Sequence, residues 1–322
     1  MPAAQADARA ADHHSARKGD SAMTKDAVGF IGLGAMGRRM VLHLLKAGYE
    51  VFVCDPDSDA VAAVAMHGAA RCETPRHVAD NADIVLVCVP TPDIVEQVVL
   101  GNAGIRHGQR AAIVVDHSTT GPSVARRLAQ VLAEQGIASL DAPLAGGVAG
   151  AQAGTLSVMV GGDLAAYRRC EPVFQAFGRN VVHVGARPGM GQVLKLVNNM
   201  IVASTLTTTC EAVLFGIKSG LDAQVLLDML NASTARSFAS EAIVSKTILD
   251  RQFDFGFRMD LMRKDLRLFL SEAETVGVPS FAASVSKQFF DRAIAAGHGA
   301  EDMTRVAQEL EMLAEARIER TA

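Results

Sequence analysis

The residue pattern with the plainest chemical consequence is Gly32-Leu33-Gly34-Ala35-Met36-Gly37. It follows a strand-like apolar run, Ala27-Val28-Gly29-Phe30-Ile31, and opens a segment of helical periodicity from Ala35 to Ala47 that Gly48 closes. In that setting Gly32 permits a tight turn, Gly34 lets the backbone approach a pyrophosphate, and Gly37 lets helix and strand pack closely. The free N–H groups of the helix start, at Ala35 and Met36, together with the positive dipole end, suit phosphate oxygens. Asp55 ends the next strand-like run, Glu50-Val51-Phe52-Val53-Cys54-Asp55, inside the roughly 20-residue window where a carboxylate meets an adenosine ribose. A carboxylate there repels a 2′-phosphate, so the expected cofactor is NAD, with NADP second. The bland alternative is a cluster of turn glycines beside a surface aspartate.

Lys195 is the second chemical candidate. It sits in Gly189-Met190-Gly191-Gln192-Val193-Leu194-Lys195-Leu196-Val197-Asn198-Asn199-Met200, where helical spacing sets Asn198 and Asn199 beside it. The remainder of that face is apolar, and an unpaired buried ammonium is expensive. Lys195 therefore requires a partner or a hydrated cavity, and a lysine of depressed pKa is a candidate acid/base. A third segment, Asp141-Ala142-Pro143-Leu144-Ala145-Gly146-Gly147-Val148, has a glycine pair whose N–H groups can converge on an anion such as a carboxylate. By composition alone it reads equally as a flexible loop.

The elements that must position these residues fall into two groups. Apolar runs such as Ile84-Val85-Leu86-Val87-Cys88-Val89 and Ala111-Ala112-Ile113-Val114-Val115-Asp116 read as parallel strands buried on both faces, alternating with helices in βαβ units. Beyond Pro188 helical periodicity takes over, with helices expected at Asp222–Leu230, Leu261–Val276, Ser280–Ala296 and Asp302–Arg317. The segment from Met190 to Lys218 has Glu211 as its single acidic residue and reads as a helix buried all round. The expectation is an α/β Rossmann-type doubly wound sheet over residues 24–188, followed by an all-α substrate and oligomerisation domain over 189–322. Residues 1–23, without hydrophobic periodicity, read as a disordered extension.

Composition narrows the function classes. A net charge of −4 gives no general attraction to nucleic acid. No apolar run reads as a clean membrane span, and no secretory core is seen. The five scattered cysteines lack paired spacing, and the histidines show no HExxH, which indicates reduced thiols and no metal site. The expected setting is cytoplasmic. The apolar helical half implies subunit contacts, as a homodimer or homotetramer.

From Val28 to about Val306 the chain resembles the β-hydroxyacid dehydrogenase family, typified by 3-hydroxyisobutyrate dehydrogenase. The likeness rests on Gly29 to Gly37, on Asp116-His117-Ser118-Thr119, on the DAPxxGG segment, on GxGxxxKxxxN and on Leu261-Met262-Arg263-Lys264-Asp265-Leu266. The resemblance implies Lys195 as catalytic acid/base and Asn199 as a substrate ligand. It also implies Lys264 as a cofactor contact from the helical domain, in one motif with Asp265, and Pro90 and Thr119 as residues lining the nicotinamide side. The implied reaction moves hydride between NAD and the hydroxyl carbon of a small hydroxy acid whose carboxylate lies on the 146–147 glycine pair. Two departures stand out: Ala145 where the family commonly has Ser, which removes a donor to substrate, and His117 where it often has Met. The substrate expected is therefore a different or larger acid or a semialdehyde. A 6-phosphogluconate dehydrogenase is longer and typically has His at the position of Gln192. Imine reductases and non-catalytic dinucleotide-binding relatives usually lack the lysine.

Overall fold

The computed structural model describes residues 25–320. The expected disordered extension at 1–23 lies outside them. Strand β1 (Val28–Ile31) is buried at every position and sits between β2 (Val51–Cys54) and β4 (Ile84–Val87), with all partners parallel. β3 (Ala70–Arg71) pairs with β2, and β5 (Ile113–Asp116) and β6 (Ala138–Asp141) extend the sheet beyond β4. β7 (Leu144–Ala145) continues β6 past Pro143, and both run antiparallel along one edge of β8 (Leu156–Gly162). β9 (Gly178–Gly185) lines the other edge of β8 in parallel. The strand order is β3-β2-β1-β4-β5-β6-β8-β7, with β9 beside β8, so the order reverses at β1 and β4. A crevice at the carboxyl ends of those two strands is where such sheets bind ligands.

Helices cover both faces of the sheet. They are α1 (Gly37–Lys46), α2 (Ser58–Ala65), α3 (Pro75–Asn81), α4 (Pro92–Leu100), α5 (Pro122–Ala133), α6 (Gly147–Ala153) and α7 (Leu164–Gln175). On one face Val28 and Phe30 pack with Met40, Val41 and Leu44 of α1 and with Phe174 and Phe177. On the other, Ile31, Val85 and Val87 pack with Val78, Val95, Val99 and Leu128. Burial on both faces explains why the strands read as continuous apolar runs. The local starts are set by sequence too: Thr74 and Thr91 cap α3 and α4 through their hydroxyls, each followed by Pro at the first helical position.

The helical half begins with α8 (Met190–Lys218), against which α9 (Ala223–Asn231), a π-helix (Ala239–Ile248), α10 (Met259–Thr275), α11 (Phe281–Ala295) and α12 (Val306–Ala314) assemble. Its core joins Leu206, Cys210 and Val213 of α8 to Ile243, Val244, Met262, Leu266 and Phe290.

Three expectations are corrected, and one element is new. α1 starts at Gly37, not Ala35, because residues 34–36 form the turn itself. The π-helix went unpredicted, having little amphipathic signal. The segment expected as one helix from Asp302 divides into a 3-10 turn (Met303–Arg305) and α12, which ends at Ala314. Lastly, α8 is long and apolar enough by composition to cross a membrane, although no such run was read from the sequence, and it is not buried all round. Val193, Leu194, Val197, Ile201 and Phe215 are exposed, while Gln192, Lys195 and Asn199 face inward. Its packing on α10, α11 and the π-helix makes it the central helix of the helical domain.

Candidate active site

The glycine turn lies at the carboxyl end of β1, where the crevice begins. Gly32 has φ +98°, and a Cβ there would stand 2.2 Å from the Cys88 carbonyl oxygen. At Gly37 a Cβ would stand 1.9 Å from the Gly32 carbonyl oxygen and 2.8 Å from the Phe30 ring. Gly34 is different: a Cβ there would meet no protein atom within 4 Å, so the turn leaves an open cradle at its exposed middle. The N-cap residue of α1, Met36, makes no side-chain capping bond. These features fit a dinucleotide pyrophosphate, to which Gly34, Ala35 and Met36 would present backbone. The Asp55 carboxylate accepts hydrogen bonds from Leu33 N–H at 2.5 Å and Asp57 N–H at 2.8 Å, which fixes it beside the turn at the end of β2.

A second group of polar residues assembles beyond β5 and β6. Asp116 and Asp141 end these strands directly opposite each other. The Asp116 carboxylate accepts hydrogen bonds from Ser118 N–H at 2.9 Å and the Thr120 hydroxyl at 3.0 Å, so it shapes the turn that carries Thr119. Burial outweighs those bonds and pushes its pKa up to about 6. Asp141, also buried and raised by burial, accepts from the N–H groups of Gly189 and Gln192 and so caps α8. The Gln192 side chain returns the contact: its Oε1 accepts from Thr120 and Gly121 N–H at 3.0 and 3.1 Å, and its Nε2 donates to the Ser118 carbonyl at 2.8 Å. Ser118 in turn accepts from Val89 N–H, beside exposed Pro90.

One turn further along α8 stands Lys195, with 9 % of its surface exposed and no hydrogen bond or ion pair to the described residues. Burial lowers its pKa, the Asp265 carboxylate opposes that, and the Lys264 charge adds to it. Asp265, only 2 % exposed, pairs with Lys264 Nζ at 2.9 Å and accepts from Asn199 Nδ2 at 2.5 Å. Lys264 Nζ also donates to the Thr119 carbonyl at 2.6 Å, so α10 reaches across the crevice to the loop after β5. Asn198 donates to Asn199 Oδ1 at 3.0 Å, which orients the amide. Asn199, Lys264 and, through Lys264, the Thr119 carbonyl are thus linked at Asp265, whose charge also acts on Lys195.

The DAPLAGG segment forms β7 and the turn into α6. Gly146, at φ +119° and exposed, and Gly147, at φ +60°, take a backbone conformation that favours glycine, while Ala145 is half-buried opposite Ser157. A Cβ on Gly147 would meet no atom within 4 Å, the same open space found at Gly34. Arg39 of α1 ties this unit to the phosphate turn, donating to Gln152 Oε1 at 2.9 Å and to the Ala35 carbonyl at 2.6 Å. A Cβ on Gly256 would stand 3.9 Å from Val148, which brings the loop before α10 near this turn.

Sequence reasoning assigned no role to Asp116, Asp141, Gln192 or Arg39. Asp265 was attached to a motif without a function. The signal that marks the first three is a polar residue inside an otherwise apolar or glycine-rich run, since burial obliges such groups to find partners. His117, likewise unassigned, proves to be a core residue: it shares a 2.7 Å hydrogen bond with the Ala142 carbonyl through Nδ1 and packs edge-on against Phe174 and Phe177. Among the described residues no cluster of three or more metal-ligating side chains occurs.

Comparison with known proteins gives the arrangement its context. Residues 27–185 match the NAD binding domain of 6-phosphogluconate dehydrogenase, and residues 189–310 match the NAD-binding domain of NADP-dependent 3-hydroxyisobutyrate dehydrogenase. The chain is 39 % identical to 2-(hydroxymethyl)glutarate dehydrogenase of Eubacterium barkeri over 89 % of its own length and 95 % of that protein's. It is 35 % identical to 3-hydroxyisobutyrate dehydrogenase of Pseudomonas aeruginosa over 82 % of its length and 90 % of that protein's. Among solved structures, 3-hydroxyisobutyrate dehydrogenase of Mycobacterium tuberculosis with L-serine superimposes with a TM-score of 0.82 and 31 % identity, covering 89 % of this chain and 99 % of that one. With both halves matched in order, the chain belongs to the β-hydroxyacid dehydrogenase family of oxidoreductases.

Proposed function

We propose that the protein is an NAD-linked dehydrogenase of a small β-hydroxy acid larger than 3-hydroxyisobutyrate, or a reductase of the matching semialdehyde. The observation that carries this reading is the buried Lys195, its pKa lowered by burial, under the charge of Asp265, which pairs with Lys264 and accepts from Asn199 while Lys264 reaches the Thr119 carbonyl. When bound, the nicotinamide supplies the hydride acceptor. Lys195 Nζ, with its ammonium form disfavoured by burial, takes the hydroxyl proton of the substrate and holds it beside the carbonyl oxygen formed. Asn199, with its Nδ2 committed to Asp265, orients the substrate through its remaining polar capacity. The N–H groups of Gly146 and Gly147 anchor the substrate carboxylate.

Asp55, held by Leu33 and Asp57 N–H groups, favours NAD over NADP, because its carboxylate occupies the place of a 2′-phosphate partner. Ala145 withdraws a hydroxyl donor from the carboxylate end, and the likeness to a dehydrogenase named for 2-(hydroxymethyl)glutarate supports a bulkier acid. The exposed apolar side chains of α8, α9 and α11 (Ile201, Phe215, Met229, Phe281) support a homodimer or homotetramer. The five free thiols suit a reducing cytoplasm.

The test is initial-rate screening of C3–C6 hydroxy acids and aldehydes with NAD and with NADP, repeated on Ala145→Ser. The expected outcome is a higher kcat/KM with NAD, a preference for the larger acids, and a gain on 3-hydroxyisobutyrate in the variant. A higher kcat/KM with NADP overturns the Asp55 assignment. Tight NAD binding without turnover of any acid or aldehyde favours a dinucleotide sensor instead.

A further inference from the structure

Away from the crevice, at the opposite, N-terminal ends of β5 and β6, a cavity of about 500 Å³ opens among residues that have no part in the reaction. Ala111 and Ile137, both buried and placed just before those strands, line its inner side. Arg76 enters from α3, Arg106 and His107 from the 3-10 turn Ile105–His107, Gln109 from the loop beyond, and Gln135 from the end of α5. Polar and cationic groups thus come from α3, from the 3-10 turn with the loop after it, and from the end of α5.

The lining itself carries cations and no acid, with the Asp80 carboxylate behind it accepting from the Gln109 N–H at 2.9 Å. Arg106, half-buried, makes no ion pair among the described residues; its Nε donates to His107 Nε2 at 3.1 Å, which leaves the other guanidinium N–H groups uncommitted. Arg76 reaches only Asp80, at 3.8 Å and with its own side chain 53 % exposed, so that pair is weak. Arg110, four residues beyond Arg106, shows the contrast: it grips Asp83 with two bonds at 3.1 and 2.8 Å. The turn bearing Arg106 is rigid. Ile105 is fully buried beneath it, and Gly108 is so close to Ala79 that a Cβ would stand 2.4 Å from that methyl.

We infer that this cavity binds a compact phosphate-bearing anion. A flat carboxylate is satisfied by a single in-plane guanidinium fork, whereas donors arriving from three directions match the spread of acceptor oxygens on a tetrahedral phosphoryl group. The volume admits a small phosphate monoester as well as the free ion.

The experiment is isothermal titration of the full chain saturated with NAD, which fills the phosphate turn at Gly32–Gly37. Inorganic phosphate is the titrant in one arm and glycerol 3-phosphate in the other. The expected result is saturable 1:1 binding in at least one arm, weakened tenfold or more in Arg106→Gln and in Gln135→Glu, with NAD affinity unchanged. A response to the ester alone identifies a phosphorylated metabolite as the ligand; a response to both identifies the phosphoryl group itself. Gln135→Glu leaves the guanidinium in place and puts a repelling charge on an exposed position, so the test stands even where Arg106→Gln folds poorly. No saturable heat in either arm, or binding undiminished in both variants, overturns the proposal.

Discussion

The Asp141 carboxylate accepts a hydrogen bond from the backbone N–H of Gln192 at 2.9 Å, so the first turn of α8 is capped by the sheet and not by its own N-cap residue, Gly189. The Gly189 N–H donates to the other oxygen at 2.6 Å. Both N–H groups are buried, and an unsatisfied buried donor costs about 1–3 kcal/mol. Asp141→Ala is therefore expected to lower stability by about 2–4 kcal/mol in urea unfolding. Asp141→Asn, which keeps one acceptor oxygen, loses less.

Lys195→Ala should lower kcat by about 10³-fold or more while NAD binding, followed by isothermal titration, persists. The pH profile is more informative. Burial lowers the Lys195 pKa and Asp265 partly restores it, so the rise of hydroxy-acid oxidation with pH lies below the ordinary lysine range. In Asp265→Asn the restoring charge is gone, and that rise moves to still lower pH. A limb unmoved by the substitution excludes Lys195 as the titrating base.

The phosphate turn separates folding from binding. Gly34→Ala adds a methyl that meets no protein atom, so the melting temperature should hold within about 2 °C while KM for NAD rises at least about tenfold. Gly37→Ala drives its methyl into the Gly32 carbonyl and the Phe30 ring, so it should lower the melting temperature itself by several degrees. Equal loss of stability in both variants contradicts the open cradle at Gly34.

His117 is buried and neutral, its pKa pushed down to about 4 by desolvation. The unfolded chain takes up this proton near pH 6.5, so the stability tied to the neutral ring is complete above that pH and is lost as pH falls towards 4. His117→Met removes the titration. Its stability relative to the native protein should improve on acidification from pH 7 to 4 by up to about 3 kcal/mol, measured by urea unfolding. Asp116 works in the opposite sense, since its raised pKa makes stability fall as pH climbs from about 4 to 6, but it is common to both proteins and cancels in the difference.

The Rossmann half was legible because its strands are buried on both faces, which leaves continuous apolar runs between glycines and caps. The glycine turn and Lys195 were legible because their types conflict with their neighbours. Asp141 and Gln192 were not, because a carboxylate or amide that serves backbone groups distant in sequence has no local spacing to betray it. The π-helix escaped for a related reason: Ala239–Ile248 follows neither the 3.6-residue nor the two-residue period. The outer face of α8 was misjudged because an apolar stripe does not say what covers it, and in the single chain Ile201 and Phe215 stay exposed.

The clasp of Gln192 on Ser118, Thr120 and Gly121 has a bearing on how this architecture can be recombined. With Lys264 on Thr119 and Glu272 on Ser123, three side chains of the helical half hydrogen-bond residues 118–123. A chimera cut at the bend before α8 would part each of these side chains from the backbone it was fitted to. The heritable unit is therefore not either half alone: the loop after β5 travels with the C-terminal partner, and a productive graft must carry the two together.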